Sequence, residues 1–193
     1  MSGPIVVKVG GSLYDVPDLG ARLRDWLGEH CSHGALLIPG GGPAADVIRQ
    51  FDERHGLGEE KAHWLALRAM TLNAHFLAAL LPPADVIPIY RFARNDKSRI
   101  AILDVHEFVR GDEARPGRLP HSWAVTSDAV AARVAVATQA RQLVLLKSTT
   151  IPPNVDWRQA ARLGWVDAMF AEVLRQAPPD LHVSAVNLRT WPN

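Results

Sequence analysis

The sequence predicts an α/β protein with a mainly parallel sheet, on three observations. Short apolar runs end at glycine turns, an amphipathic helical segment follows each turn, and that strand–turn–helix unit repeats. The first unit is Pro4-Ile5-Val6-Val7, closing on Lys8-Val9-Gly10-Gly11-Ser12 ahead of a helix over residues 16–31. The second is Ala35-Leu36-Leu37-Ile38, closing on Pro39-Gly40-Gly41-Gly42-Pro43. Right-handed crossovers between parallel strands put such turns on one edge of the sheet, so the two glycine loops are expected to face a single crevice.

Each element has its own pattern. Val16, Leu19, Leu23, Trp26 and Leu27 recur at helical spacing, with Asp18, Arg22, Arg24, Asp25 and Glu29 between them. Ala44, Val47, Ile48 and Phe51 mark the next helix. Arg49 on that helix either reaches the crevice or solvates the surface, the commoner use of a helical arginine. A long helix over residues 59–81 carries two apolar stripes: Ala62, Leu65, Ala69, Leu72, Phe76 and Leu80, then His63, Leu67, Met70, Ala74 and Leu77. On spacing alone, His63 reads as a core or interface histidine. The two-faced character of the helix suggests a subunit interface and a homo-oligomer.

After Pro82-Pro83, residues 85–90 and 100–104 read as two strands joined by a hairpin turn at Arg94-Asn95-Asp96-Lys97. Arg91, Arg94, Lys97 and Arg99 make this the densest basic segment, either a solvated hairpin or a lid over an anionic substrate. Residues 113–120 are an irregular connection, and Ser122-Trp123-Ala124-Val125 reads as a short strand. Thr126 or Ser127 then caps an Ala-rich helix that places Asp128 in its first turn. Leu143-Val144-Leu145-Leu146 is a further buried strand ending in Lys147-Ser148-Thr149-Thr150, a second lysine beside hydroxyl groups. Residues 157–176 are mainly helical with a break near Gly164, and residues 182–188 form a closing strand. The tryptophans at 26, 64, 123, 157 and 165 are assigned to core packing.

With 193 residues, 48% of them hydrophobic and 21% charged, the chain is expected to form one domain around one core. A net charge of +1 gives no support for nucleic-acid or membrane-surface binding, which leaves a small molecule as the expected partner. Cys31 is the single cysteine, and the N-terminus lacks a secretory pattern, so a cytoplasmic location is expected. His30, Cys31 and His33 lie close in sequence but make a poor zinc set, and no protein metal site is assigned.

The chemistry points to phosphate. Gly10 and Gly11 lack Cβ atoms and let backbone N–H groups approach an anion, Ser12 adds a hydroxyl, and Lys8 supplies charge. The lysine precedes the glycines, unlike the common P-loop, where it follows them. Transfer between two anions requires cations to offset their repulsion, and Lys8 and Lys147 supply two. Two ammonium groups also need an acid to hold them together, and Asp128 is the candidate.

These segments in this order resemble the amino-acid kinase superfamily, which includes acetylglutamate kinase, uridylate kinase, carbamate kinase and isopentenyl phosphate kinase. The resemblance rests on Lys8-Val9-Gly10-Gly11-Ser12, Gly40-Gly41-Gly42, the run from Thr126 to Ala132, and Leu145-Leu146-Lys147-Ser148. It implies a three-layer αβα sandwich with an acceptor-side part over 1–121 and a shortened nucleotide-side part over 122–193. Implied roles are Lys8 as transition-state stabiliser, Gly11 and Gly41 as N–H donors within the phosphate-binding set Gly10, Gly11, Ser12, Gly40, Gly41 and Gly42, and Asp128 as organiser of the lysines. Lys147, Ser148 and Thr149 fall to the nucleotide, with ATP and Mg²⁺ as cosubstrate and ion.

Within the superfamily, the stretches 40–46 and 62–70 are similar to small kinases linked to methanofuran-type cofactor synthesis, whose archaeal members convert an aminomethylfuran monophosphate to its diphosphate. This moves His63 and Met70 to the acceptor pocket, with Arg49, Thr126 and Ser127. The chain departs from larger relatives in two respects: the segment after Lys147 is short, and no lysine follows it. Either Lys147 is the second cation or the site is weakened. Two alternatives follow: a carboxylate kinase of the amino-acid branches, or a non-catalytic nucleotide- or oxoanion-binding protein on the same fold. Arg49, Arg91 and Arg94 are the arginines available to a phosphate acceptor.

Overall fold

The computed structural model describes residues 3–94 and 99–192. Its centre is a six-stranded sheet, β1 (Ile5–Val9), β2 (Ala35–Pro39), β3 (Asp85–Ile87), β4 (Ile100–Leu103), β5 (Gln142–Lys147) and β6 (His182–Asn187), in the order β3-β4-β2-β1-β5-β6. Every adjacent pair is parallel. β1 is the pivot: Lys8 is in register with Ile38 of β2 on one side and Leu145 of β5 on the other. All residues of β1 and β2 are buried, as expected for strands covered on both faces.

The pleat sorts β1 between two cores. Ile5, Val7 and Val9 pack with Leu19, Leu23, Trp26 and Leu27 of α1 (Leu19–His30), while Val6 belongs to the opposite core, with Ile38 and the helix α6 (Ser127–Ala137). Lys8 shares the phase of Val6 and so projects towards the α6 layer. α6 is buried from Ser127 to Ala135, being apolar nearly all round and enclosed by β1, β2, β5 and the short helix Phe170–Leu174. Its one buried arginine, Arg133, is paired at 2.6 and 2.9 Å with Asp112 at the end of α5 (Val105–Asp112) and donates at 3.0 Å to the Pro116 carbonyl. The helical layers on the two faces make the three-layer sandwich.

The segment 85–104 differs from expectation. β3 and β4 run parallel, and α4 (Ile89–Arg94) occupies the place of the second half of the expected first strand, so there is no hairpin. Asn95, Asp96 and Lys97 of the expected turn lie outside the described residues. Pro88 explains the break: it lacks a ladder donor and leads into the helix, with the Arg91 N–H bonded to its carbonyl. α5 was not expected; its cap is Asp104, which accepts from the Glu107 N–H at 3.1 Å. Residues 122–125 form a turn closed by the Val125 N–H on the Ser122 carbonyl, not a strand.

The helices α2 (Gly42–His55) and α3 (Glu59–Leu80) follow the second glycine turn. The stripe of α3 through His63, Leu67, Met70, Ala74 and Leu77 is buried, whereas Leu65, Leu72 and Phe76 of the other stripe are exposed, Leu72 by 64%. α2 has no buried residue, and Val47 and Phe51 add to the same kind of surface. Among the described residues no helix is long and apolar enough to cross a membrane.

Candidate active site

The two glycine turns meet as the parallel strands require. A Cβ on Gly11 would lie 2.2 Å from the Gly42 nitrogen, and one on Gly40 would lie 2.3 Å from the Gly11 nitrogen, so only glycine permits this backbone-on-backbone contact. The Gly10 N–H is tied to the Leu146 carbonyl at 2.8 Å, which fixes the first turn against the end of β5. Ser12 Oγ and Ser148 Oγ are 2.8 Å apart, linking the first turn to the residue after Lys147. Asn73, buried on α3, donates to the Gly40 and Gly41 carbonyls at 2.8 and 2.7 Å, and the Tyr14 hydroxyl donates to Gly40 at 3.1 Å. With the carbonyls turned to these donors, the first N–H groups of α2, which have no partner within the helix, are left at the crevice.

Behind the turns lies a buried charge group. Asp128 Oδ2 accepts from Lys147 Nζ at 2.6 Å, and Lys8 Nζ forms an ion pair with Oδ1 at 2.8 Å. Lys8 and Asp128 are each 4% exposed. Burial pushes the Asp128 carboxyl up, but the two ammonium groups outweigh it and hold the acid below its ordinary range. Burial and repulsion from Lys8 push Lys147 below its ordinary value, with Asp128 acting in the opposite sense. One carboxylate shared by two cations leaves one unit of positive charge in excess, beside backbone N–H donors and in a low-dielectric setting. Such an arrangement can stabilise charge that develops on phosphoryl oxygens.

The start of α6 is held by a residue that sequence reasoning missed. Thr126 is the N-cap, but its side chain accepts no helix N–H; Asp167 Oδ2 instead accepts from Thr126 N at 3.0 Å, Thr126 Oγ1 at 2.8 Å and Ala129 N at 2.8 Å. Burial raises the Asp167 carboxyl, against the pull of these donors. Neither Thr126 nor Ser127 caps by its own hydroxyl as expected. Asp167 thereby fixes the helix end from which Asp128 projects.

A cleft of about 510 Å³ opens over the glycine turns, within the usual size range for small-molecule sites. Its lining brings together Gly11, Ser12, Gly41, Gly42, Arg49, His63, Met70, Thr126 and Ser127, all singled out in the sequence. Lys8, Gly10, Gly40, Asp128 and Lys147 are not in the lining, and neither are Ser148 and Thr149. Arg91 lines a separate depression with His75 and Arg99, so it does not join the cleft, and the Arg94 side chain lies outside the described residues.

His63 is buried, with Nε2 unpartnered among the described residues, and its ring lies nearly parallel to that of His121 at 5.1 Å. Burial, then the neighbouring His121, push it down to about 4, so His63 is neutral near pH 7. Trp123 is a cleft residue and not core: the Arg49 guanidinium lies 4.1 Å from its ring centroid, and its indole N–H donates to Asp52 at 2.8 Å. Asp15 and Arg189 also line the cleft and carried no local signal of it.

A model of the amino acid kinase family matches residues 3–150. The chain is 28% identical over 142 residues to a (5-(aminomethyl)furan-3-yl)methyl phosphate kinase from Methanocaldococcus jannaschii, a match covering 72% of this chain and 63% of that protein. The chain thus spans less than two thirds of the length of that relative. Among solved structures it is similar to a UMP kinase from Bacillus anthracis (TM-score 0.65, 14% identity, 98% of this chain and 89% of that one). It is similar also to a uridylate kinase from Archaeoglobus fulgidus (TM-score 0.60, 17% identity, 90% and 87%). At these identities the structural likeness speaks for the fold, while the family model spans most of the chain and both glycine turns, Asp128 and Lys147 fall inside it: this chain belongs to the amino acid kinase family.

Proposed function

We propose that the chain is a cytoplasmic ATP-dependent phosphotransferase acting on a small phosphorylated acceptor, with an aminomethylfuran phosphate as the acceptor. The observation that carries the reading is Asp128 shared between Lys8 and Lys147 beside two glycine turns in backbone contact. In this reading an acceptor phosphate oxygen attacks the γ-phosphorus of ATP, a new P–O bond forms, and the bond to the β-phosphate oxygen breaks to release ADP. Lys8 meets the charge on the transferred group, Lys147 with Ser148 and Thr149 serves the nucleotide, and Asp128 fixes both ammonium groups. The Gly11 and Gly41 N–H groups bind phosphoryl oxygens; the Gly10 N–H, expected to approach the anion, is instead taken by the Leu146 carbonyl. Mg²⁺ would be held by the nucleotide's own phosphates and would supply charge neutralisation during the transfer.

The acceptor assignment draws on the Methanocaldococcus relative and on the cleft itself. Ala66, Leu67, Met70, Val125 and Val130 give it an apolar wall suited to a small ring, while the glycine turns at the other side suit the phosphate. The test is ³¹P NMR of the purified chain with ATP, Mg²⁺ and synthetic aminomethylfuran phosphate. Formation of a diphosphate with one ADP per turnover is expected, and a folded Lys8→Ala variant should be inactive. ATP binding without turnover on this or any carboxylate acceptor would favour a non-catalytic binding protein. The exposed apolar residues of α2 and α3 support a homo-oligomer formed through that face. Light scattering should give a mass above one chain, reduced by Leu72→Glu; a single-chain mass in the unaltered protein would exclude it.

A further inference from the structure

The cleft holds a cation that follows the last strand. Arg189 lines it beside Gly11, Ser12 and Asp15. Its Nη2 donates to the Ser12 carbonyl at 2.7 Å and to Asp15 Oδ1 at 2.5 Å. A guanidinium has five N–H donors, and among the described residues Nε and Nη1 of Arg189 make no hydrogen bond.

The backbone carrying this side chain is fastened on three sides. The Leu188 N–H is bonded to the Lys147 carbonyl at 2.9 Å, and the Arg189 N–H to Asn187 Oδ1 at 3.1 Å. Arg22 Nη1 donates to the carbonyls of Leu188, Arg189 and Trp191 at 3.4, 3.2 and 2.8 Å, while its Nε is held by Asp18. The Arg189 side chain is 40% exposed, so its unused donors face solvent, while its backbone is fixed next to the first glycine turn, which lowers the ordering cost of binding an anion there. A further cation at this place suits the charge of the ligands proposed above. Lys8 and Lys147 share one carboxylate, and Arg49 stands over Trp123. A phosphorylated acceptor and a nucleotide together bring more negative charge than the buried group offsets.

We propose that Arg189 is a phosphate-binding residue of this site, tied to Asp15 and able to exchange that carboxylate for phosphoryl oxygens at the Gly11–Ser12 turn. Assigning the anion to a kinase substrate rests on the function proposed above; the binding of an anion by Arg189 does not.

The experiment is calorimetric titration of the full chain with inorganic pyrophosphate at fixed ionic strength, for the unaltered protein, Arg189→Gln, Arg189→Lys, Asp15→Asn and the Asp15→Asn/Arg189→Gln double variant, each checked for folding by circular dichroism. Arg189→Gln should weaken binding by about 10- to 100-fold. Arg189→Lys should recover part of that as a point charge without the fork. Asp15→Asn should tighten binding by freeing the guanidinium, and most of that gain should vanish in the double variant. A merely structural Arg189–Asp15 tie makes the opposite prediction, since Asp15→Asn would then loosen the turn and weaken binding. Unchanged binding in Arg189→Gln, or weaker binding in Asp15→Asn, would overturn the assignment. Arg189-dependent pyrophosphate binding without turnover on any acceptor would remove the kinase reading and leave Arg189 standing. Turnover unaffected by Arg189→Gln would do the reverse, and no pyrophosphate binding by the unaltered chain at millimolar concentration would count against both.

Discussion

Replacing Asp128 by asparagine keeps the shape of the side chain and removes the charge between two buried ammonium groups. In the native protein the carboxylate lies 2.8 Å from Lys8 Nζ and 2.6 Å from Lys147 Nζ, and Lys8 is 4% exposed, so neither solvent nor a distant acid can take over its part. Leaving a buried charge unpaired costs about 3–5 kcal/mol, and the loss should appear as a lower urea midpoint with an unchanged slope. The pH dependence gives a second handle. Lys147 already sits below its ordinary value of 10.5, and without Asp128 it should fall further. A lysine depressed in the folded state makes the unfolded chain the better proton binder, so the stability of the variant should rise with pH from its folded pKa up to about 10.5. The native protein has the acid counterpart: Asp128 lies below 3.8, and its contribution is lost as pH falls through its folded pKa. Phosphoryl transfer should drop by about 10²-fold or more as the lysines lose their positions. Urea unfolding from pH 7 to 10 with an ADP-release assay decides the matter. A variant within ~0.5 kcal/mol of the native protein, with turnover intact, would refute the claim that Asp128 holds these lysines.

Three further predictions concern separate parts of the molecule. Asp112→Ala should strand Arg133 in the core at a cost of about 3–5 kcal/mol, whereas the paired change Asp112→Leu/Arg133→Met should recover most of it; urea midpoints of the three proteins test this. Since His63 sits at about 4, the unfolded chain takes up its proton first as pH falls. Up to about 3 kcal/mol of stability should therefore disappear between pH 6.5 and pH 4, and His63→Phe should flatten that part of the profile; an NMR titration showing His63 charged at pH 6 would contradict it. Gly11→Ala would set a Cβ 2.2 Å from the Gly42 nitrogen and force the turns apart, so ATP-dependent turnover should be lost with the melting temperature lowered by several degrees.

The parts of the site that were legible in the sequence are those written locally. The apolar runs of β1, β2 and β5, the glycine turns that end the first two, and Asp128 in the first turn of an Ala-rich helix are each contained within a few residues. Parallel topology then brings them together without further information. Locality also produced the errors. Asn-Asp between two apolar runs is a hairpin pattern, but strand pairing is decided by the whole sheet, and β3 lies parallel on the outside of β4. For α5 the signal was present and unused, since Asp104 and Glu107 have the spacing of a cap. Trp123 was assigned to core packing from its place in a predicted strand, yet it is paired by Asp52, 71 positions away. Asp167 and Arg189 carried no local signal. Asp167 reaches Thr126 across 41 positions and Arg189 reaches Ser12 across 177, so only the completed fold makes them part of the site.

The central place of β1 has a consequence for synthesis. It leaves the ribosome before the other strands of this sheet, yet its β5 neighbour, residues 142–147, emerges more than a hundred residues after its β2 neighbour, residues 35–39. For that interval β1 is an open edge of apolar residues in a nascent chain, the kind of edge that recruits strands from other molecules. Its one charged residue is Lys8. An ammonium group at an unclosed edge resists burial against a stranger, and it gains its carboxylate only when α6 arrives. Lys8 thus discourages premature pairing at β1 until α6 and β5 close over it, and β6 then completes the sheet.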